Sequence, residues 1–373
     1  LEELSGNSEM TYQQLGFLCG IIKDNIPKKI VEVGIASGGT TAVILNTIKL
    51  LGSRTKVISV DIADQFYRDP TKKTGFMADE FQKKYAGGVD WAKKTGSILP
   101  EVIEDIGADI DLLILDTMHI MPGEILDFLT AFPYLSSNAI VIIHDTALHH
   151  IGRNKDAYAT QMLLNTVVAD RMEPLECEEV YGYPNIGAFK INQDTRKYIL
   201  NVFGSLRMTW KYLIGKDDLA SYYRIYEKLY GKDYADILKQ AYKMNSATLN
   251  RYFENRKRQT EEIIDFFGII SKNEKIILYG YGNYGKKIED ILKRNGHDLY
   301  MVIVSDGVEI SDNTEKIKHV SEGLKEIKEG IVIVAVSERY HLEIEATLKQ
   351  KGIKNYYLPT NELLTFFDTW SAE

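Results

Sequence analysis

Val31-Glu32-Val33-Gly34-Ile35-Ala36-Ser37-Gly38-Gly39-Thr40 decides the fold of the first half of this 373-residue chain. Lys28-Lys29-Ile30 precede it and Ala42-Val43-Ile44-Leu45 follow, so it reads as a buried strand, a glycine-rich turn and a helix. Gly34 and Gly38 let the backbone approach a ligand closely, and the helix that follows offers free N–H groups. The spacing is not the GxGxxG of dinucleotide sites. Twenty-three residues past Gly38, the run Val57-Ile58-Ser59-Val60 ends in Asp61. An acid at a strand end is placed to take both hydroxyls of a ribose.

Outward from this turn, apolar runs recur at Ile30–Val33, Lys56–Val60, Val89–Gly96, Asp111–Leu115 and Ala139–Ile143, with a helix before the first (about Met10 to Asn25) and helices between most of them. Alternation of this kind predicts an α/β domain with a mostly parallel sheet covered on both faces. A helix over about Tyr158 to Asp170 then leads to Glu178–Tyr181 and Ile186–Ile191, joined by the turn Gly182-Tyr183-Pro184-Asn185, which reads as a closing hairpin. The polar segment from Asp61 to Asp90 is long enough for a lid or binding loop, or for a surface excursion. With its turn and strand-end acid, the stretch resembles the first motif of the class I S-adenosylmethionine (SAM) methyltransferases. That resemblance implies a Rossmann-like sheet of seven strands ending in an antiparallel hairpin. It also implies SAM as cofactor, with Glu32, Gly34, Ser37, Gly38 and Thr40 around its methionine part, Asp61 on the ribose, and Gly96-Ser97 bordering the adenine. The acid that the family carries beside that last element is absent here.

Composition narrows the alternatives. A net charge of −8 leaves no broad basic field to neutralise phosphates, so no nucleic-acid partner is expected. The run Arg256-Lys257-Arg258 sits among Glu254, Glu261 and Glu262 and reads as a solvated helix face. No apolar stretch reaches the roughly 18–20 residues of a membrane span, and Leu1-Glu2-Glu3 does not read as a signal peptide. Two cysteines, Cys19 and Cys177, read as small buried hydrophobes, which points to a cytoplasmic protein with no membrane partner.

The chemistry gathers at two strand ends. Asp111–Leu115 runs into Asp116-Thr117-Met118-His119, and Ile140–Ile143 into His144-Asp145-Thr146, with His149 and His150 just beyond. In a parallel sheet these ends share a rim with the glycine turn and Asp61, and histidines beside carboxylates there suit proton transfer or metal binding. The pattern resembles the cephalosporin hydroxylase-like proteins and, more distantly, the metal-dependent catechol O-methyltransferases. The resemblance covers residues 10 to 193. It implies Mg²⁺ or a similar divalent cation on Asp116 and Asp145, with His144 or Thr146 as a third ligand, and His119 as the base that takes the acceptor's hydroxyl proton. Thr146 stands where the catechol group has an asparagine. Two plainer readings stay open: Asp116 as a carboxylate that holds only the methionine amine of SAM, and His119 as a structural histidine on a backbone carbonyl.

Beyond residue 193 the pattern changes. Residues 194–272 read as a helical packing region, in which Tyr222, Tyr226 and Tyr230 share one helix face. They suit packing between domains or subunits, so a homo-oligomer is expected; a substrate-stacking wall is the other reading. Residues 273–373 read as a smaller Rossmann-like domain. There Lys275–Tyr279 leads into Gly280-Tyr281-Gly282-Asn283-Tyr284-Gly285, and Asp306 lies 21 residues past Gly285. This tail resembles small nucleotide-binding-like modules of bacterial cell-surface sugar enzymes. The expected function is a SAM-dependent, metal-assisted O-methyltransferase acting on a hydroxylated small molecule or sugar precursor. The alternatives are a nucleotide-sugar oxidoreductase in the tail, or a silent SAM-binding scaffold.

Overall fold

The computed structural model describes residues 8–152, 154–174, 182–308 and 317–370. The chain forms two compact units, Leu1–Leu249 and Asn250–Glu373. In the first, helix α1 (Tyr12–Asn25) leads into β1 (Lys29–Val33), α2 (Gly39–Leu51) and β2 (Lys56–Asp61). The segment expected to be a lid or surface loop holds a short antiparallel ribbon, β3 (Gln65–Phe66) and β4 (Asp69–Lys73), followed by α3 (Phe76–Tyr85). Then come β5 (Asp90–Thr95), α4 (Leu99–Ile106), β6 (Ile110–Leu115), α5 (Gly123–Ala131), β7 (Leu135–His144), α6 (Ala159–Thr166), β8 (Asp170–Met172) and β9 (Ile186–Lys190).

The large sheet has seven strands in the order β5-β2-β1-β6-β7-β9-β8. β5, β2, β1, β6 and β7 are parallel, and β9 runs antiparallel to both β7 and β8. This is the architecture expected from the resemblance, with one difference at its edge. The run Glu178–Tyr181, expected as the first hairpin strand, lies outside the described residues. The strand that pairs with β9 is β8, within and just past the end of the span expected to be helical. α6 stops at Thr166 because Val167 is already extended, at φ −73° and ψ 134°; two β-branched valines in succession favour that change.

Side chains alternate across the sheet. Ile30, Leu112, Ile114, Ile140 and Ile142 pack with Leu15, Leu18, Val43 and Ile44 from α1 and α2. Val31, Val33, Leu113, Leu115, Val141 and Ile143 pack on the other face, with Val102, Ile125 and Leu129 from α4 and α5. Near-continuous apolar strands are what burial on both faces demands.

After β9, helices α7 (Gln193–Lys197), α8 (Ile199–Ser205), α9 (Lys216–Tyr230) and α10 (Lys232–Ile270) follow. Residues 194–249, expected in a separate helical region, fall within the first unit. The tyrosine face of α9 packs on α5 of the same unit: the hydroxyls of Tyr222, Tyr226 and Tyr230 donate to Asp127 Oδ1 (3.1 Å), the Leu126 carbonyl (2.7 Å) and the Leu129 carbonyl (2.6 Å). Each ring thus buries apolar area while its polar tip is satisfied.

The second unit has β10 (Ile276–Tyr279), α11 (Asn283–Arg294), β11 (Leu299–Val304), β12 (Ile317–His319), α12 (Leu324–Lys328), β13 (Ile331–Val334), α13 (His341–Gln350), β14 (Tyr356–Tyr357) and α14 (Asn361–Trp370). Its five parallel strands are ordered β12-β11-β10-β13-β14. Among the described residues, no helix is long and apolar enough to cross a membrane.

One backbone contact sets the geometry of the first sheet's rim. Gly34 has φ +96°, and a Cβ built there would lie 1.8 Å from the Asp116 carbonyl oxygen. Gly34→Ala is therefore expected to cost at least about 2 kcal/mol, combining strained φ with overpacking against a backbone atom. Urea denaturation checks this; an unchanged midpoint would show that the turn relaxes freely.

Candidate functional site

The glycine turn is held by its own backbone. Gly38 N–H bonds the Ile35 carbonyl at 2.8 Å, and Ala36 adopts a left-handed φ of 49°. α2 starts at Gly39 with no side chain capping it, so its first N–H groups face the space above the sheet. Asp61, at the end of β2, accepts from the backbone N–H of Ile35 (2.8 Å) and Ala36 (3.2 Å) on Oδ2, and from Ala63 (2.8 Å) on Oδ1. The turn and the strand-end acid are thereby one unit.

Beside it, the ends of β6 and β7 bring two carboxylates and two imidazoles together. His144 Nδ1 lies 2.9 Å from Asp116 Oδ1, and its Nε2 lies 3.2 Å from Gln14 Oε1. His119 Nε2 sits 3.1 Å from Asp145 Oδ2 and 3.7 Å from Asp116 Oδ1, while its Nδ1 is 3.1 Å from Glu124 Oε1. His119 and Asp145 both hold left-handed backbone conformations, with φ of 61° and 58°. Strain of this kind persists only where surrounding contacts over-determine it. Here the His119 N–H donates to Glu124 Oε1 (2.7 Å), and Asn185 Nδ2 donates to Asp145 Oδ1 (2.6 Å).

These contacts set the charges. Burial alone would raise the Asp116 carboxyl, but the neighbouring His144 and then His119 hold it below its ordinary value. Burial pulls His119 down, yet Glu124, Asp116 and Asp145 together push it up to about 9. His144 is raised as well: burial opposes its charge, and Asp116 and Asp145 outweigh burial. As it stands, the cluster sets the His119 imidazolium among carboxylates, with His144 against Asp116. Ligand atoms of Asp116, His144 and Asp145 all lie within 4.8 Å of one another. Two hard carboxylates and an imidazole are a donor set that fits a divalent cation, and His144 joins it by giving up one of its two hydrogen bonds.

A cavity of about 940 Å³ opens over this rim. Of the expected site residues, Gly34, Ser37, Thr40, Asp61, Ser97, Asp116, His119 and Asp145 line it. Others are not among its lining residues. Glu32 is buried behind the turn, where the hydroxyls of Thr41 and Ser59 donate to its Oε2 at 2.7 and 2.6 Å. Gly38 makes room for Gly75, whose Cα would lie 2.9 Å from an added Cβ, and Gly96 abuts the Asp64 carboxylate in the same way. His144 stands behind Asp116. The rings of His149 and His150 lie against each other, 4.1 Å between centroids and tilted by 44°, and do not line the cavity either.

Several lining residues escaped the sequence reading. Tyr67 and Arg68 come from the ribbon, and both reach Glu9, at 2.8 and 3.1 Å. Asp127 on α5, and Tyr212 and Asp218 around the start of α9, form the far wall together with Tyr222, for which the sequence offered both packing and a substrate-stacking wall. Burial first, and then Glu124, push the Asp127 carboxyl up to about 7. Asn185 carried a usable signal: it immediately precedes β9, whose antiparallel pairing of Ile186 with His144 sets it beside Asp145.

In the second unit, a Cβ on Gly280 would lie 2.6 Å from Val336 Cγ1, and one on Gly285 2.5 Å from the Gly280 carbonyl oxygen, whereas Gly282 has nothing within 4 Å. Two of the three glycines are thus required by tight packing alone. Asp306 is engaged: Oδ1 accepts from the Ser321 N–H (3.0 Å), and Oδ2 from the Ser321 hydroxyl and Lys351 Nζ. These partners, Lys351 foremost, hold its carboxyl far below the ordinary range.

Residues 31–146 match the family model described as a methyltransferase domain. Among solved structures, the chain is similar to the O-methyltransferase TomG from Streptomyces achromogenes, involved in tomaymycin synthesis and solved in complex with SAM (16% identity, TM-score 0.36, covering 49% of this chain and 81% of that one). It is also similar to an O-methyltransferase from Bacillus cereus in complex with SAH (S-adenosylhomocysteine; 11% identity, TM-score 0.36, covering 50% and 84%). A third is the SAH-bound Podospora anserina methyltransferase PaMTH1 (13% identity, TM-score 0.37, covering 52% and 86%). No curated protein matches the chain.

The buried Glu32 gives a prediction that needs no ligand. Burial raises its pKa from 4.5 to about 7, despite the two hydroxyl donors. An unfolded glutamate releases its proton near the ordinary value, so the folded state binds more protons across that window. Stability therefore falls as pH rises through it, by about 3 kcal/mol at the upper end. Glu32→Gln is expected to flatten this slope in denaturation series on either side of the window. Equal slopes for the two proteins would show that Glu32 is charged throughout.

Proposed function

With a methyltransferase domain over residues 31–146 as premise, we propose that the first unit is a SAM-dependent O-methyltransferase, assisted by a divalent cation and acting on a hydroxylated small molecule or sugar precursor. The observation that carries this reading is one cavity bearing the glycine turn, Asp61, Asp116, His119 and Asp145 together. Asp61, oriented by three backbone N–H groups, takes the ribose hydroxyls. Gly34, Ser37 and Thr40 border the methionine part, and Ser97 the adenine edge. Glu32, Gly38 and Gly96 act from behind, by keeping the turn in shape.

In the transfer the acceptor oxygen attacks the methyl carbon. The C–S bond breaks, its electron pair stays on sulfur, and SAH leaves. The hydroxyl proton passes to His119 Nε2. His119 must first be neutral, and positive charge arriving beside Asp116 and Asp145 opposes the carboxylates that keep it protonated. The sulfonium brings such charge. A divalent cation held by Asp116, Asp145 and His144 would lower the pKa of a bound hydroxyl and orient it. In-line positioning supplies much of the remaining rate. We read the second unit as a structural module, because the oxygens of Asp306 already have partners.

Calorimetry with SAH tests the donor site. Asp61→Ala is expected to weaken binding by about 1.5–3 kcal/mol, the scale of hydrogen bonds to a charged group; unchanged affinity would put the ribose elsewhere. Excess EDTA is expected to suppress methyl transfer to any acceptor found, and full activity in its presence would remove the cation from the mechanism.

A further inference from the structure

The acceptor side of the cavity carries charge that the donor chemistry leaves unused. At about 940 Å³ the cavity lies at the upper end of small-molecule sites, roughly 300–1,000 Å³, with room for a second ligand beside the donor. Glu9, Asp61, Asp116, Asp127, Asp145 and Asp218 line it, against Arg68 and His119 as the cations. Four of these acids are accounted for. Glu9 pairs with Arg68 at 3.1 Å, Asp61 accepts from the turn's backbone, and Asp116 and Asp145 face His144 and His119.

Asp127 and Asp218 pair with no cationic side chain among the described residues. They line the cavity together with Tyr212, and Asp127, whose carboxyl burial and Glu124 push up to about 7, is driven to its ionised form by a cation arriving beside it. Glu124 is fully buried close by, and its Oε2 has no hydrogen-bond partner. A half-buried tyrosine ring beside unpaired acids is a site for a cation. It repels phosphates and carboxylates by the same field.

Resting on the reading of the first unit as a SAM-dependent methyltransferase, we propose that Tyr212, Asp127 and Asp218 bind a protonated amine of the acceptor. The substrate class is then an amine that also carries the hydroxyl to be methylated. The ammonium docks at this wall, and the hydroxyl extends toward Asp116 and His119 at the rim. Tyr212 and Asp218 lie beyond residue 146, outside the stretch that matches the methyltransferase family model, whereas Asp127 lies within it.

The test is calorimetry on the full chain, first with SAH, then with glucosamine, glucose and glucuronate added to the SAH complex. Glucosamine is expected to bind at least about tenfold more tightly than glucose, the scale of a charge-assisted contact, and glucuronate not at all. Asp218→Asn, in the first turn of α9, is expected to abolish the preference for the amine while SAH affinity stays unchanged. Asp127→Asn should do the same, and Asp218→Asn keeps the test decisive if that buried variant fails to fold. No binding of SAH would overturn the methyltransferase reading itself. Binding of SAH with no preference for the amine, or with no amine binding, would overturn the amine subsite alone.

Discussion

The contact between Gly34 and the end of β6 is the constraint on which the rest of the first unit depends. The Gly34 N–H bonds the Val60 carbonyl, and the Asp116 N–H bonds the Val33 carbonyl, both at 2.9 Å. The two ladders thus continue one step past the ends of the strands. Because Gly34 has no side chain, the turn closes directly onto the Asp116 carbonyl. Asp61 reaches back from the other side to the N–H groups of the same turn. Three strand ends are clamped, and the carboxylates at two of them acquire fixed positions without any help from a ligand. Such positioning ahead of binding is what enzymes use to lower the cost of organising reactants.

Carboxylates around this clamp differ in charge because their surroundings differ. Asp116 faces two imidazoles and is held ionised despite burial. Glu32 has only hydroxyl donors, and burial keeps it protonated up to about pH 7. Asp127 shares that state for the added reason that Glu124 lies beside it. The hydroxyls of Tyr222 and Thr117 that reach Asp127, at 3.1 and 3.4 Å, lower its pKa but do not offset both burial and a neighbouring acid.

The central sheet and its rim were legible in the sequence because local signals coincide there: apolar runs, glycines at the turn, acids at strand ends. The placement of Glu32 is encoded in the same pattern. It shares the face of Ile30, which packs toward α2, so its carboxylate meets Thr41 rather than the cavity. Asn185 depended on strand pairing across a long excursion. Tyr212 and Asp218 depended on α9 folding back onto α5, a contact between residues about a hundred positions apart that no local pattern encodes. β8 was hidden in a stretch whose composition also suits a helix.

The three phenols of α9 hold a cavity wall against α5 by hydrogen bonds to two backbone carbonyls and one side chain. Backbone carbonyls are present whatever residues α5 carries, so this anchorage is largely indifferent to sequence drift beneath it. Positions 212 and 213 ahead of α9, and 218 in its first turn, can therefore exchange side chains while the helix stays docked. On the proposed reading, a chain built this way changes the compounds it accepts through a few substitutions in one short segment, leaving the clamp at Gly34 untouched.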